Sequence, residues 1–186
     1  MNSDNDLLSA LQLAQDGGVI GKTDLALEVA RARVFVHALQ TLTGVEELLD
    51  IGSGGGLPGL VIAHDFPELR VTLIDRREKR TDLLTRQVHR LRQNVPGAPI
   101  EVICGDVRSL HGGSAFNAVT ARSFGSPEVV LETALPLLSP GGSLLVSEPP
   151  NSDGDRWPRD VLLKTNTSVD IYAEASTSLA IIRCHP

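Results

Sequence analysis

Apolar residues follow two rhythms along the chain. Near the N-terminus they recur at helical spacing. Leu7, Leu8, Leu11 and Ala14 share one side of a segment from Ser3 to Gln15, with Ser3 placed to cap it and Gly17-Gly18 to stop it. Leu25, Val29, Phe35, Val36, Leu39 and Leu42 lie mostly on one face of a longer helix, Leu25 to Leu42, capped by Asp24. From Leu48 onward, apolar runs of strand length alternate with helical segments. Strands are predicted at Glu47 to Ile51, Arg70 to Ile74, Ile100 to Cys104, Phe116 to Thr120 and Ser143 to Ser147, with helices at Leu57 to Asp65, Glu78 to Gln93 and Pro127 to Leu138. Pro140-Gly141-Gly142 reads as a turn before the fifth strand.

The last stretch changes character. A loop around Pro149-Pro150-Asn151 leads to a short helix, Trp157 to Lys164, and then to two strands, Val169 to Ala175 and Leu179 to Cys184. Too few residues separate these strands for a helical crossover, so they form an antiparallel hairpin. The expectation is an α/β, Rossmann-like fold: a doubly wound, mostly parallel seven-stranded sheet with an antiparallel C-terminal hairpin and ligands at the carboxyl ends of the strands.

At 186 residues with 41% hydrophobic content, the chain is expected to form one domain over residues 1–186, its N-terminal helices spanning 3–42. No basic stretch followed by an apolar run marks export, and no segment has the length of a membrane span. Cys104 and Cys184 are isolated thiols, which form neither a zinc cluster nor a disulfide framework, so a cytoplasmic protein with no metal and no membrane partner is expected. The net charge of −6 argues against holding nucleic acid by bulk electrostatics. A local basic patch remains open at Arg76, Arg77, Lys79, Arg80, Arg86, His89, Arg90 and Arg92, as does a plain solvated helix face interrupted by Glu78 and Asp82.

The candidate chemistry lies in Leu48-Leu49-Asp50-Ile51-Gly52-Ser53-Gly54-Gly55-Gly56-Leu57-Pro58-Gly59, a strand, a glycine turn and the start of a helix. Such a turn lets backbone N–H groups approach a nucleotide-like ligand. Two registers compete. Gly54-x-Gly56-x-x-Gly59 satisfies the dinucleotide fingerprint, and Asp75 lies 75 − 54 = 21 residues on, near the spacing of about 20 for a ribose acid. Asp50-x-Gly52-x-Gly54-x-Gly56 instead places an acid before alternating glycines, the pattern of S-adenosylmethionine methyltransferases. An acid at Asp50 suits a cationic amino acid moiety and opposes a pyrophosphate. Asp106, at the end of the third strand in Cys104-Gly105-Asp106-Val107, can pair with adenine together with the following backbone N–H. Tyr172 has no lysine four positions on, as hydride chemistry would want. These features together select S-adenosyl-L-methionine and a class I methyltransferase.

The stretch Leu49 to Leu60, with Phe66-Pro67 after it, resembles the bacterial small-subunit (16S) rRNA guanine-N7 methyltransferase family, also called glucose-inhibited division protein B. The resemblance continues through Val71-Thr72-Leu73-Ile74-Asp75-Arg76-Arg77-Glu78-Lys79-Arg80, Val119-Thr120-Ala121-Arg122-Ser123-Phe124 and Leu135-Pro136-Leu137-Leu138-Ser139-Pro140-Gly141-Gly142, and covers about Gly18 to Ser147. It implies a methyltransferase acting on rRNA in the small ribosomal subunit, with cofactor contacts at Gly52, Leu57, the Val107-Arg108 pair and Arg122. With the strand-end acids and glycines, the expected cofactor set is Asp50, Gly52, Gly54, Gly56, Leu57, Asp75, Asp106, Val107, Arg108 and Arg122. No residue is assigned a catalytic role, because guanine N7 carries a lone pair and no proton. The family usually has an acid where this chain has Arg108.

Two further departures bear on the acceptor. The family's N-terminal tryptophan-asparagine and asparagine-leucine-threonine motifs do not occur in this sequence, and Glu148-Pro149 stands where its fifth strand usually ends in lysine-glycine. The expectation is therefore a divergent or truncated member. Its alternatives are a paralogue methylating a small molecule or protein, and a noncatalytic S-adenosylmethionine-binding protein.

Overall fold

The computed structural model describes residues 4–93, 97–113, 115–150 and 152–185. Its elements run α1 (Asp4–Asp16), α2 (Leu25–Gln40), β1 (Glu47–Ile51), α3 (Gly59–Asp65), β2 (Arg70–Asp75), α4 (Glu78–Arg92), β3 (Ile100–Cys104), β4 (Phe116–Ala121), α5 (Pro127–Ala134), β5 (Leu138–Glu148), α6 (Arg159–Lys164), β6 (Thr167–Glu174) and β7 (Thr177–Cys184). The strands form a seven-stranded sheet in the order β3-β2-β1-β4-β5-β7-β6. Pairs among β1 to β5 are parallel; β7 lies antiparallel to both β5 and β6. The predicted mostly parallel sheet with its C-terminal hairpin is thus the observed one.

Period-two alternation along the central strands explains why helices cover both faces. Leu48, Val71, Leu73, Ala118 and Leu145 point to one apolar cluster with α1 to α4 residues such as Leu11, Phe35, Leu60 and Leu84. Leu49, Ile51, Ile74, Val119 and Leu144 point to the other, which holds Val130, Leu131 and Trp157. Each of these leucines and isoleucines is at most 1% exposed, and burying one such side chain contributes roughly 1.5–3 kcal/mol.

Several boundaries differ from those predicted. The cap expected at Ser3, and Asn151 in the predicted loop, lie outside the described residues. Asp24 caps α2 as expected, accepting from the Ala26 N–H at 2.9 Å. The helix predicted from Pro127 to Leu138 ends at Ala134, followed by a 3₁₀ turn over Leu135–Leu137. Pro136 explains the change, since its ring cannot continue an α-helix. Strand β5 begins at Leu138 and takes in the Pro140-Gly141-Gly142 stretch as an irregularity: Phe116 pairs with Leu138, but Ala118 pairs with Ser143.

The end of β5 is closed by side chains. Glu148 Oε1 accepts from the indole N–H of Trp157 at 3.1 Å, and Oε2 accepts from the Ser152 hydroxyl. Arg156 lies 3.8 Å from Glu148 and stacks 5.7 Å above the Trp157 ring.

Candidate functional site

The glycine loop joins β1 to α3 at the carboxyl edge of the sheet, where β1 meets β2 and β4. Gly52 and Gly54 adopt φ of +68° and +53°, which only glycine takes without strain. A Cβ on Gly52 would also stand 2.8 Å from the Phe124 ring. Neighbouring strands hold the turn: Ser53 N–H donates to Ile74 O at 3.0 Å, Gly54 N–H donates to Asp75 Oδ2 at 3.1 Å, and the Gln87 amide of α4 donates to Gly55 O at 2.9 Å.

Two clefts open beside this loop and share Gly52, Arg80 and Ser123 in their walls. The first, of about 390 Å³, lies over the ends of β2 and β3 and is lined by Asp75, Asp106, Val107 and Arg108. Asp75 is 4% exposed; its Oδ1 accepts from the Arg77 N–H at 2.9 Å and Arg80 approaches Oδ2 at 3.3 Å. Asp106 is exposed and accepts from the Arg108 N–H at 2.9 Å, capping a 3₁₀ turn over Val107–Leu110. The second cleft, of about 400 Å³, is lined by Gly54, Leu57 and Arg122, together with Glu28 from α2 and the segment around Ile20.

Eight of the residues selected from the sequence therefore line one cleft or both: Gly52, Gly54, Leu57, Asp75, Asp106, Val107, Arg108 and Arg122. Asp50 and Gly56 line neither. Asp50 alternates onto the same face as Leu48, beneath the loop, where it is 1% exposed and accepts from the hydroxyl of its cross-strand neighbour Thr120 at 2.8 Å. Burial pushes its carboxyl up to about 6, against the opposing hydrogen bond from Thr120 and the charge of Arg122. Gly56 forms the floor of the turn, donating to Ser53 O at 2.7 Å, and a Cβ there would stand 2.3 Å from Leu60.

Sequence reasoning missed two residues here. Ser123, which lines both clefts, has a φ of +56°, a left-handed conformation that a non-glycine residue holds only under constraint. Glu28 is 7% exposed and bonds to Arg122 across 94 positions of sequence. Its helical spacing beside Leu25 and Val29 was the available signal, because it puts an acid at the edge of the buried face. None of the five histidines lines either cleft. Among the described residues, no group of three His, Cys, Asp or Glu could hold a metal ion, and no helix is long and apolar enough to cross a membrane.

The sheet order, the glycine loop and the strand-end acids define the class I, Rossmann-like methyltransferase fold, and solved structures agree. An O-methyltransferase from Bacillus cereus, solved in complex with SAH, superposes with a TM-score of 0.70 at 16% identity, over 98% of this chain and 91% of that one. The O-methyltransferase TomG from Streptomyces achromogenes, in complex with SAM, gives 0.66 at 16% identity over 99% and 91%. The family follows from sequence. The model of the GidB family, rRNA small subunit methyltransferase G, matches residues 33–150, and the chain belongs to that family. Curated relatives include the ribosomal RNA small subunit methyltransferase G of Coxiella burnetii, 35% identical over 65% of this chain and 60% of its own length, and that of a Nocardioides species, 38% identical over 52% and 37%. The matched stretch thus spans less than two thirds of either relative.

Proposed function

We propose that the chain binds S-adenosylmethionine across the two adjoining clefts and transfers its methyl group to N7 of a guanine in small-subunit rRNA. The walls that the clefts share, at Gly52, Arg80 and Ser123, carry this reading. One end offers a strand-end carboxylate and an Asp-Val-Arg turn, suited to ribose and adenine; the other offers a glycine loop and an arginine, suited to an amino acid. Each carboxylate oxygen has two lone pairs, so Asp75 can accept from ribose hydroxyls while it holds the Gly54 and Arg77 N–H groups. Asp106 and the Val107 backbone take the adenine edge, and Gly52, Gly54, Leu57, Arg108 and Arg122 complete the contacts. Asp50 and Gly56 support the loop from below.

The cofactor supplies a methyl group already activated on a sulfonium. Guanine N7 needs no base to expose its lone pair, so the protein's contribution is alignment and exclusion of water. With an rRNA acceptor the chain works in the cytoplasm, and we take it to act as a single domain.

Calorimetry with S-adenosylmethionine and with its demethylated product tests the cofactor, and binding of both is expected. Tritium transfer from labelled cofactor to small ribosomal subunits lacking this methyl group tests the acceptor, with label expected in rRNA guanine. Binding without label in RNA would move the reading to a small-molecule or protein acceptor, or to a noncatalytic role; no binding at all would remove the cofactor from it.

A further inference from the structure

Glu28 and Arg122 come from elements that approach the glycine loop from different sides, one from the first turn of α2 and the other just past the end of β4. Each oxygen of the Glu28 carboxylate takes its own arginine. Oε1 accepts from Arg31 at 2.8 Å and Oε2 accepts from Arg122 Nη2. Burial pushes this carboxyl up, but the hydrogen bonds and charges of Arg122 and Arg31 outweigh it and hold the group below its ordinary value. At neutral pH Glu28 is therefore an anion.

Of the two arginines, Arg122 does more to hold the Glu28 charge, and Arg31, three residues on and 45% exposed, does less. The pairing with Arg122 also has a consequence for Arg122 itself. With Nη2 committed to Glu28, the guanidinium is pinned at the loop end of the second cleft, beside Gly52, Ser53 and Gly54. Its Nη1 is buried without a hydrogen-bond partner, while 27% of the side chain stays open. A planar donor held in place and only partly satisfied is suited to a carboxylate, which guanidinium groups bind through paired, charge-assisted hydrogen bonds.

We propose that Glu28 is a positioning residue: it fixes Arg122 so that the guanidinium pairs with the carboxylate at the amino acid end of the ligand. This rests on the S-adenosylmethionine reading above, and it assigns the ligand's anionic group to one side chain. Asp50, the acid that the sequence pattern offers for that end of the ligand, lies below the loop and lines neither cleft.

The test compares S-adenosylmethionine with its decarboxylated form, which keeps the sulfonium and ammonium but lacks the carboxylate. By calorimetry the unmodified protein should prefer S-adenosylmethionine about tenfold or more, the factor for one charge-assisted hydrogen bond. Glu28→Gln should lower affinity for S-adenosylmethionine about tenfold while leaving that for the decarboxylated form within about twofold. Arg122→Ala should abolish the preference. Thermal melting of the ligand-free variants reports whether the fold survives, and Glu28→Asp, which keeps the charge on a shorter arm, gives the same contrast in weaker form if Glu28→Gln does not fold. Equal losses for both ligands would overturn the proposal, since a structural role or a direct contact with the ammonium predicts that result. An unmodified protein that binds both ligands equally well overturns it too. Binding of neither removes the cofactor reading itself, and the two failures are thereby distinct.

Discussion

The carboxyl ends of β1 and β2 each present a buried aspartate within reach of the glycine loop, yet the two do opposite things. Asp75 reaches into a cleft with its oxygens facing donors: the Gly54 N–H, the Arg77 N–H and Arg80. Asp50 is sealed under the loop, with Oδ1 on Thr120 and Oδ2 without a hydrogen-bond partner. The difference is one of depth. Asp50 pairs in register with Leu73, so Asp75 lies two residues nearer the carboxyl edge on the same side of the sheet and turns into the loop space, whereas Asp50 stays beneath the loop. Proximity to a glycine turn therefore does not by itself make an acid a ligand contact.

The contrast can be broken by substitution. The largest effect is expected from Asp75→Ala, which removes the acceptor for the Gly54 and Arg77 N–H groups and the proposed ribose contact together. At roughly 1.5–3 kcal/mol for each charge-assisted hydrogen bond, affinity for S-adenosylmethionine should fall at least a hundredfold by calorimetry. Unchanged affinity would falsify the assignment of this cleft to the nucleoside.

Asp50→Asn should act on stability rather than binding. In the folded chain its carboxyl titrates near 6 against an ordinary value of 3.8, so between those pH values the folded state holds a proton that the unfolded state has lost. Stability from this group is highest below pH 3.8, declines as pH rises through the window, and carries its full charge-burial cost above pH 6, on the order of 3 kcal/mol. Denaturant unfolding should show the variant gaining on the parent from pH 4 to 6 and holding that gain above it; a pH-independent difference means the carboxyl does not titrate there. The smallest effect is expected for Arg80→Ala. Its pairing with Asp75 is 3.3 Å long and its side chain 34% exposed, so the melt should register less than about 1 kcal/mol. A larger loss would make Arg80 a support of the loop comparable to Gln87.

Much of the architecture was legible because the strands are short, apolar and spaced by amphipathic helices. β1 and β3 run over the residues predicted, and β2 and β4 are each one residue longer. The boundary between α5 and β5 was not legible, since Leu135, Leu137 and Leu138 fit either period and only Pro136 separates them. Within the candidate site, loop glycines and strand-end acids could be found because they belong to a local pattern. For Glu28 the helical spacing marks only an acid at the edge of a buried face, since its place beside Arg122 depends on how α2 packs against the sheet. Asp50 was misleading for the converse reason: the motif gives its position along the chain, and only the register with β2 shows how far beneath the carboxyl edge it lies.

The closure at the end of β5 gives the molecule an optical property. Trp157 is the only tryptophan in the chain, is 2% exposed, and donates its indole N–H to a buried carboxylate under a stacked guanidinium. All indole emission therefore comes from one loop, which follows β5, the neighbour of the strand that leads to Arg122. Its wavelength reads the dryness and charge of that corner alone, so any acceptor that rearranges the corner announces itself in the spectrum without a label.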